Sequence, residues 1–272
     1  MKIKDTLNDQ PQEIRKDVLQ VQNIQPWSNM ICKIKLPDQI FKRLWELYDY
    51  TTNKKWKSFG NNLVGKIDEE PEVTPDILEQ FPEWGQWCLQ TVEQFVTTQM
   101  LQTLVGEQKN KEDFLKDELM ARITTMWVVN QKPHEYNPVH IHTDCKVSSV
   151  VYLKTPQNQL KDRKDHYQSD GKITFVNNSG TDPNFANAQC SFAPEAGDMY
   201  IFPALQHHMV WPYRSTDPDD LRVSLSFNAD WITKTQLEAQ QKNAEKMYQN
   251  MKKMKESGND KSVTDGNINK SG

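Results

Sequence analysis

Between about Ala121 and Trp231 the chain is a succession of short β-rich runs, and this constrains its fold more than any other feature. Eight runs are separated by turn or loop chemistry: Arg122–Val129, Pro138–His142, Val147–Lys154, Lys172–Val176, Gln189–Ala193, Asp198–Phe202, His207–Tyr213 and Leu221–Asn228. Strands packed this densely leave no room for alternating β/α units and point to a sandwich or barrel. Eight is the strand count of a jelly roll. Two of the connections, Thr155–Gly171 and Asn177–Ala188, are long and polar, lengths found in both binding loops and solvated insertions.

Helical spacing flanks this region. Leu36-Pro37-Asp38 opens a helix whose Ile40, Phe41, Leu44, Leu47 and Tyr48 share one face. A second helix is expected after the Pro82/Gly85 break and to about Leu104, with Val92, Phe95, Val96, Met100 and Leu101 as its apolar stripe. The expected organisation is a polar arm over residues 1–30 and one domain over 31–232. Within that domain, helices over 31–118 brace a β-helix core over 119–232. A C-terminal helix over 233–256 and a disordered tail over 257–272 complete the chain. Leu237, Ala244, Met247, Met251 and Met254 form a thin stripe on the last helix, either a weak packing face or an oligomer seam. The fold class is thus mainly β with flanking helices, a double-stranded β-helix of jelly-roll, cupin-like type.

Composition excludes several functions. Hydrophobic residues make up 36% of the chain, and no apolar run approaches the length of a membrane span. The start, MKIKDTLNDQ, lacks the apolar stretch of a signal peptide, so the expected location is the cytoplasm. A net charge of -4 with no basic block gives no footprint for nucleic acid. The four cysteines, Cys32, Cys88, Cys145 and Cys190, form no CxxC pair and read as reduced thiols that serve as small hydrophobes. No glycine-rich nucleotide motif occurs.

All six histidines fall between residues 134 and 208. His140-Ile141-His142-Thr143-Asp144 places 140, 142 and 144 on one face of a strand, a donor set suited to a mid-series divalent metal. An isolated HxH is a weak signal, because histidines also line barrels. A second histidine strand, Gln206-His207-His208-Met209-Val210, follows Gly197–Pro203; there His207 faces away from His208. Fourteen residues after His208 comes Arg222-Val223-Ser224-Leu225-Ser226-Phe227-Asn228. Its Val223, Leu225 and Phe227 share one face, and Arg222, Ser224, Ser226 and Asn228 share the other. That polar face either meets solvent or lines a wet cavity. An arginine in a cavity answers an anion, since its rigid fork matches a carboxylate. His134 and His166 lie in turns or loops, and Trp127, Tyr136, Trp211 and Tyr213 are either mouth or core aromatics.

HxH, a later histidine and Arg-x-Ser on a run of eight strands resemble the Fe(II)- and 2-oxoglutarate-dependent oxygenases. More narrowly, the chain is similar to the prolyl-hydroxylase-like oxygenases of marine bacteria and phages. The resemblance is carried by Asn137–His142, Ser148–Leu153, Phe202-Pro203 with His208 and Val210, and Arg222–Asn228, within residues 120–230. It implies Fe(II) as the metal, 2-oxoglutarate as cosubstrate and O2 as oxidant, with hydroxylation of a C–H bond as the outcome. The substrate would be a small molecule or a peptide. If the chain is phage-encoded, it would act in the host cytoplasm.

By position, the resemblance implies His140, His142 and His208 as metal ligands. Arg222 would hold the distal carboxylate of 2-oxoglutarate, with Ser224 and Tyr152 assisting. Most of the wider superfamily carries Asp or Glu where this chain has His142. The register His142-Thr143-Asp144 restores such a carboxylate, but His140/His142/His208 keeps the spacing to Tyr152 closer to the hydroxylase pattern. Three neutral imidazoles would leave the metal more positive, which bears on its oxygen chemistry. Two rival readings are a non-catalytic jelly-roll module, for binding or in a virion, and a metal cupin that does not use 2-oxoglutarate. Neither needs a buried carboxylate anchor such as Arg222-x-Ser224.

Overall fold

A computed structural model describes residues 20–24, 30–103, 108–162, 164, 169–177 and 188–258. The chain divides into two compact units, residues 1–103 with 121–230 and residues 104–120 with 231–272.

The larger unit is built on two antiparallel sheets, the layers of a double-stranded β-helix. Its strands are β1 (Gln20–Ile24), β2 (Ile31–Lys35), β3 (Leu119–Gln131), β4 (Asn137–His140) and β5 (Val147–Lys154). They continue with β6 (Ile173–Val176), β7 (Gln189–Phe192), β8 (Asp198–Pro203), β9 (His208–Val210) and β10 (Arg222–Thr233). The six-stranded sheet has the order β1-β2-β8-β5-β10-β3, and the four-stranded sheet the order β4-β9-β6-β7. All eight expected runs become strands. β1 and β2, a hairpin that extends the large sheet beyond β8, come from stretches read as arm and helical brace. Five residues each, they are too short for alternation to rise above the polar sequence around them.

Period-two patterning sets the layers. On the inner faces, Tyr152, Tyr200 and Phe202 of the large sheet pack with Ile173, Phe175 and Val210 of the small one. On β10 the polar residues Arg222, Ser224 and Ser226 line the space between the sheets. Val223, Leu225 and Phe227 are buried on the opposite face. Pairing of Ser224 with Tyr152 and of Ser226 with Val150 carries that polar face beside β5.

Helix α1 (Asp38–Thr52) buries Leu44 and Leu47, touches β5 and packs on α3 (Pro82–Thr103). The short α2 (Pro75–Leu78) leads into α3. Gly85, expected to break the chain before this helix, lies inside its first turn, where its N–H donates to the Phe81 carbonyl at 3.1 Å. Pro82 sets the start instead, its missing N–H costing nothing there. Residues 69–73 lie along the outer edge of β3 through the isolated bridges Glu69–Asn130 and Glu72–Trp127, and the bridge Ser58–Pro71 brings the preceding segment against them.

The smaller unit contains α4 (Gln108–Lys116) and α5 (Lys234–Gly258). The start of α5 is tied down by Lys234 N–H to the Glu118 carbonyl (2.8 Å) and Thr235 N–H to Asp117 Oδ1 (3.1 Å). Met247, Tyr248, Met251 and Met254 are exposed on α5. Residues 259–272, most of the expected tail, lie outside the described residues. Among the described residues no helix is long and apolar enough to cross a membrane.

One buried hydroxyl ties the closed end of the β-helix together. Tyr213 Oη donates to the carbonyls of Gln131 (2.8 Å) and Asp220, and accepts from Arg222 N–H at 3.2 Å. Tyr213→Phe should therefore lower the unfolding free energy by about 1–3 kcal/mol, the cost of leaving buried polar groups unpaired, as measured by urea denaturation.

Candidate metal and carboxylate site

The antiparallel pairing of β4 with β9 puts His140 directly opposite His208. Both rings project between the sheets, with centroids 4.2 Å apart. β4 ends at His140, so His142 stands just beyond the strand, where its N–H donates to the Ala204 carbonyl at 2.9 Å. Its Nε2 lies 3.3 Å from His208 Nε2. One nitrogen from each of the three rings falls within 4.8 Å of the others. Asp144, exposed and with φ of 59°, does not join this group.

The tautomers are fixed from behind. His140 Nδ1 donates to the Pro138 carbonyl (2.7 Å) and His208 Nδ1 to the Gln206 carbonyl (2.9 Å). With the proton held on Nδ1, each Nε2 keeps its lone pair for the shared space. Nitrogens bound at about 2.1 Å to one metal would stand roughly 3.0–3.4 Å apart, so the 3.3 Å approach suits a common ion. Burial lowers the pKa of all three rings. His142 is brought to about 3, with the nearby His140 adding to the effect, and His208 is held well below the usual histidine range. The cluster is thus neutral and ready to ligate at neutral pH.

Arg222, at the start of β10, lines the same inter-sheet space and is 2% exposed. Its Nη1 donates to the Gly171 carbonyl at 2.7 Å and its Nη2 to Gln131 Oε1. Gly171 adopts φ of 73°, a conformation that glycine reaches without strain. Among the described residues no carboxylate pairs with Arg222; on the preceding loop Asp217 Oδ1 accepts from Asp219 N–H, and the Asp220 carboxylate accepts from Gln157 and Asn158 N–H. Burial accordingly pushes the arginine pKa down, against the favourable influence of Tyr152 and Tyr213. The Tyr152 ring lies 5.8 Å from the guanidinium carbon, and Tyr152 Oη is buried with no hydrogen-bond partner. Tyr200 Oη and Ser149 Oγ are orphaned in the same way. A cationic fork and several unsatisfied hydroxyls in one region are chemistry that an anionic, multiply accepting ligand would satisfy.

This inner space is narrow, about 50 Å³, with Gln131 on its lining. Residues Leu63, Val64, His140 and His142 are common to it and to an outer cleft of about 780 Å³. Gln131, Gly171, Tyr200 and the wall formed by Phe59, Leu63 and Val64 were not anticipated from sequence. Only Gln131 had a readable signal, since it continues the Trp127, Val129 alternation by one step on β3. Of the other expected residues, Trp127 stacks on Phe59 (4.9 Å) at the cavity wall, and Trp211 Nε1 donates to Thr174 Oγ1. Tyr136 is 39% exposed at the surface. His134 sits in a turn with φ of 70°, His207 is half-buried on the other side of His208, and His166 lies outside the described residues.

The cluster also fixes a pH response. Unfolded histidines take up protons as pH falls through about 6.5, whereas the folded cluster resists until far lower, near pH 3 at His142. Its contribution is therefore complete above 6.5 and is lost progressively below it. The metal-free protein should melt several degrees lower at pH 5 than at pH 7.5 by differential scanning calorimetry, and His208→Ala should flatten that slope.

Residues 125–228 match a family model described as "Putative 2OG-Fe(II) oxygenase". A comparison with curated protein sequences gives no match. Among solved structures, the chain is similar to a 2OG-Fe(II) oxygenase-family oxidoreductase from Burkholderia pseudomallei at 11% identity (73% of this chain, 84% of the other, TM-score 0.43). It is also similar to a prolyl-4-hydroxylase from Pseudomonas putida at 16% identity (73% and 91%, TM-score 0.42). A third is a prolyl hydroxylase from Trichoplax adhaerens in complex with a hypoxia inducible factor peptide, at 13% identity (74% and 83%, TM-score 0.44). The family match begins inside β3 and ends inside β10, so the segment that is similar to 2OG-Fe(II) oxygenases takes in the whole histidine cluster together with Tyr152 and Arg222.

Proposed function

We propose that the protein hydroxylates a C–H bond of a small molecule or peptide, with His140, His142 and His208 holding Fe(II) and Arg222, Ser224 and Tyr152 holding the distal carboxylate of 2-oxoglutarate. One observation carries this reading: a sealed arginine without a carboxylate partner lies in the same cavity as three convergent, neutral imidazoles. A buried charge left unpaired is costly, and an incoming dicarboxylate supplies the missing counter-charge. The donor set fits the metal, and the orphaned Tyr152 hydroxyl fits the cosubstrate.

When bound, iron and 2-oxoglutarate together supply the activation of dioxygen and the electrons for the hydroxylation. The chain's own residues position and shield. The carbonyls of Pro138 and Gln206 hold the Nδ1 protons, keeping the ring orientation fixed. Gln131 caps one arm of the Arg222 fork and would have to turn aside for a carboxylate to take that place. Tyr152 would donate a hydrogen bond from its hydroxyl to the carboxylate, and Ser224, paired with it across the ladder, would offer a second donor. Phe202 and Phe175, against the His208 ring, keep water from the inner side of the cluster. The four free cysteines suit a reducing compartment, in keeping with a cytoplasmic location.

Mn(II) or Co(II) should bind at one ion per chain under nitrogen. Calorimetry should show that His208→Ala abolishes this binding, while His207→Ala and Asp144→Ala leave it intact. Severe loss at Asp144 alone would mean that the carboxylate register is the right one.

Arg222→Met should weaken 2-oxoglutarate binding to the metal-loaded protein by about thirty-fold to several-thousand-fold, with metal affinity nearly unchanged. Lysine should restore part of the loss, since it brings back charge without the fork. Unchanged affinity in the methionine variant, or no binding by the wild type, would overturn the assignment.

A further inference from the structure

The outer cleft has a feature that a receptor for small polar molecules does not need: an open stretch of sheet edge. β3 is the last strand of the large sheet, and its outward backbone groups follow a strict alternation. Val73 N–H donates to the Met126 carbonyl (2.9 Å), Val128 N–H to the Pro71 carbonyl (2.8 Å) and Asn130 N–H to the Glu69 carbonyl (3.0 Å). Even-numbered residues therefore face outward, and the same parity turns the N–H and C=O groups of Thr124 and Arg122 the same way. Beyond Val73 the covering segment leaves the edge for α2 at Pro75. Among the described residues nothing continues that outer ladder.

Residues Arg122–Thr125 line the cleft beside His140 and His142. Two further observations point to a ligand there. Asn228 Oδ1 and Thr125 Oγ1 both belong to residues lining this cleft, and both are buried without a partner. Asn228 is 8% exposed, and an amide oxygen only accepts, so its missing partner is an N–H or O–H donor. Across the opening, Val64 and Ile141 stand 61% and 36% exposed, apolar surfaces for side chains rather than for a charged metabolite.

We infer that the substrate is an extended polypeptide segment that adds to the β3 edge at Arg122–Thr125, gives one of its own donors to Asn228 Oδ1 and presents the following side chain to the histidine cluster. Main-chain pairing of this kind provides affinity, and alternate side-chain positions provide selectivity. A cleft of about 780 Å³ accommodates a short stretch of such a chain. This deepens the proposed hydroxylase reading and rests on it for the identity of the reacting centre.

The test is to select short random peptides, displayed on phage, against the full chain loaded with Mn(II) and 2-oxoglutarate under nitrogen, then to synthesise the best binder and N-methylate its amides one at a time. The expected result is an alternating scan, in which every second N-methyl group weakens binding by about ten-fold and the others do little. Thr124→Pro removes one outward N–H at a strand edge, where proline is tolerated, and should cost about as much. Asn228→Leu should weaken the peptide and Asn228→Asp should retain it. If Thr124→Pro fails to fold, the N-methyl scan on the wild type still decides. A flat scan, or no peptide enriched over the bare support, overturns the peptide assignment. Failure of the wild type to bind Mn(II) and 2-oxoglutarate, measured separately by calorimetry, would instead overturn the hydroxylase reading.

Discussion

A positive charge sealed between two sheets has to be answered, and the closed end of this β-helix is arranged around that requirement. Arg222 is held in place by neutral acceptors alone, the Gly171 carbonyl and the Gln131 side chain. Its own backbone N–H is given to Tyr213, whose hydroxyl in turn ties Gln131 and Asp220. Neutral acceptors orient the fork without neutralising it. The desolvation cost thus remains in the protein, and under the proposed role it serves as an attraction for a carboxylate, a use of buried charge that would gain little stability and much selectivity.

The histidines show the same division between holding and reacting. Pairing of β4 with β9 sets two rings face to face, and carbonyls two residues back pin their outer nitrogens. Burial then keeps the rings neutral, so the same apolar packing that disfavours protonation in acid prepares the lone pairs for a metal. With His142 as third donor, the proposed ligand set would carry no negative charge of its own. A dianionic cosubstrate would then be the main counter-charge for the metal.

Much of this was legible from alternation. The polar face of Arg222, Ser224 and Ser226 and the apolar face of Val223, Leu225 and Phe227 follow from the period of two, as does the inward turn of His208 beside an outward His207. The convergence of His140 with His208 was not, because strand register across sixty-odd residues is decided by non-local pairing. Gln131 was lost by ending β3 at Val129, since Asn and Gln look like a strand's end on propensity alone. The cleft wall of Phe59, Leu63 and Val64 belongs to an irregular segment with no period, and its place along β3 depends on backbone bridges that side-chain chemistry does not encode. Gly85 misled in the opposite direction, because a glycine in the first turn of a helix costs far less than one in its middle.

His142 stands past the end of its strand, secured by one backbone bond to Ala204, and the chain that follows turns through the left-handed conformation of Asp144. Two of the three imidazoles are therefore delivered by rigid β-structure and the third by a tether. That tether, Ile141 to Asp144, is also one bank of the outer cleft. Under the proposed ligand set, closing it around an ion would immobilise the bank, so the ion would act as a clasp as well as a reagent, and the entropy of ordering the cleft would be lost when metal arrives rather than when substrate does. The shape that a substrate meets would then be a property of the loaded protein.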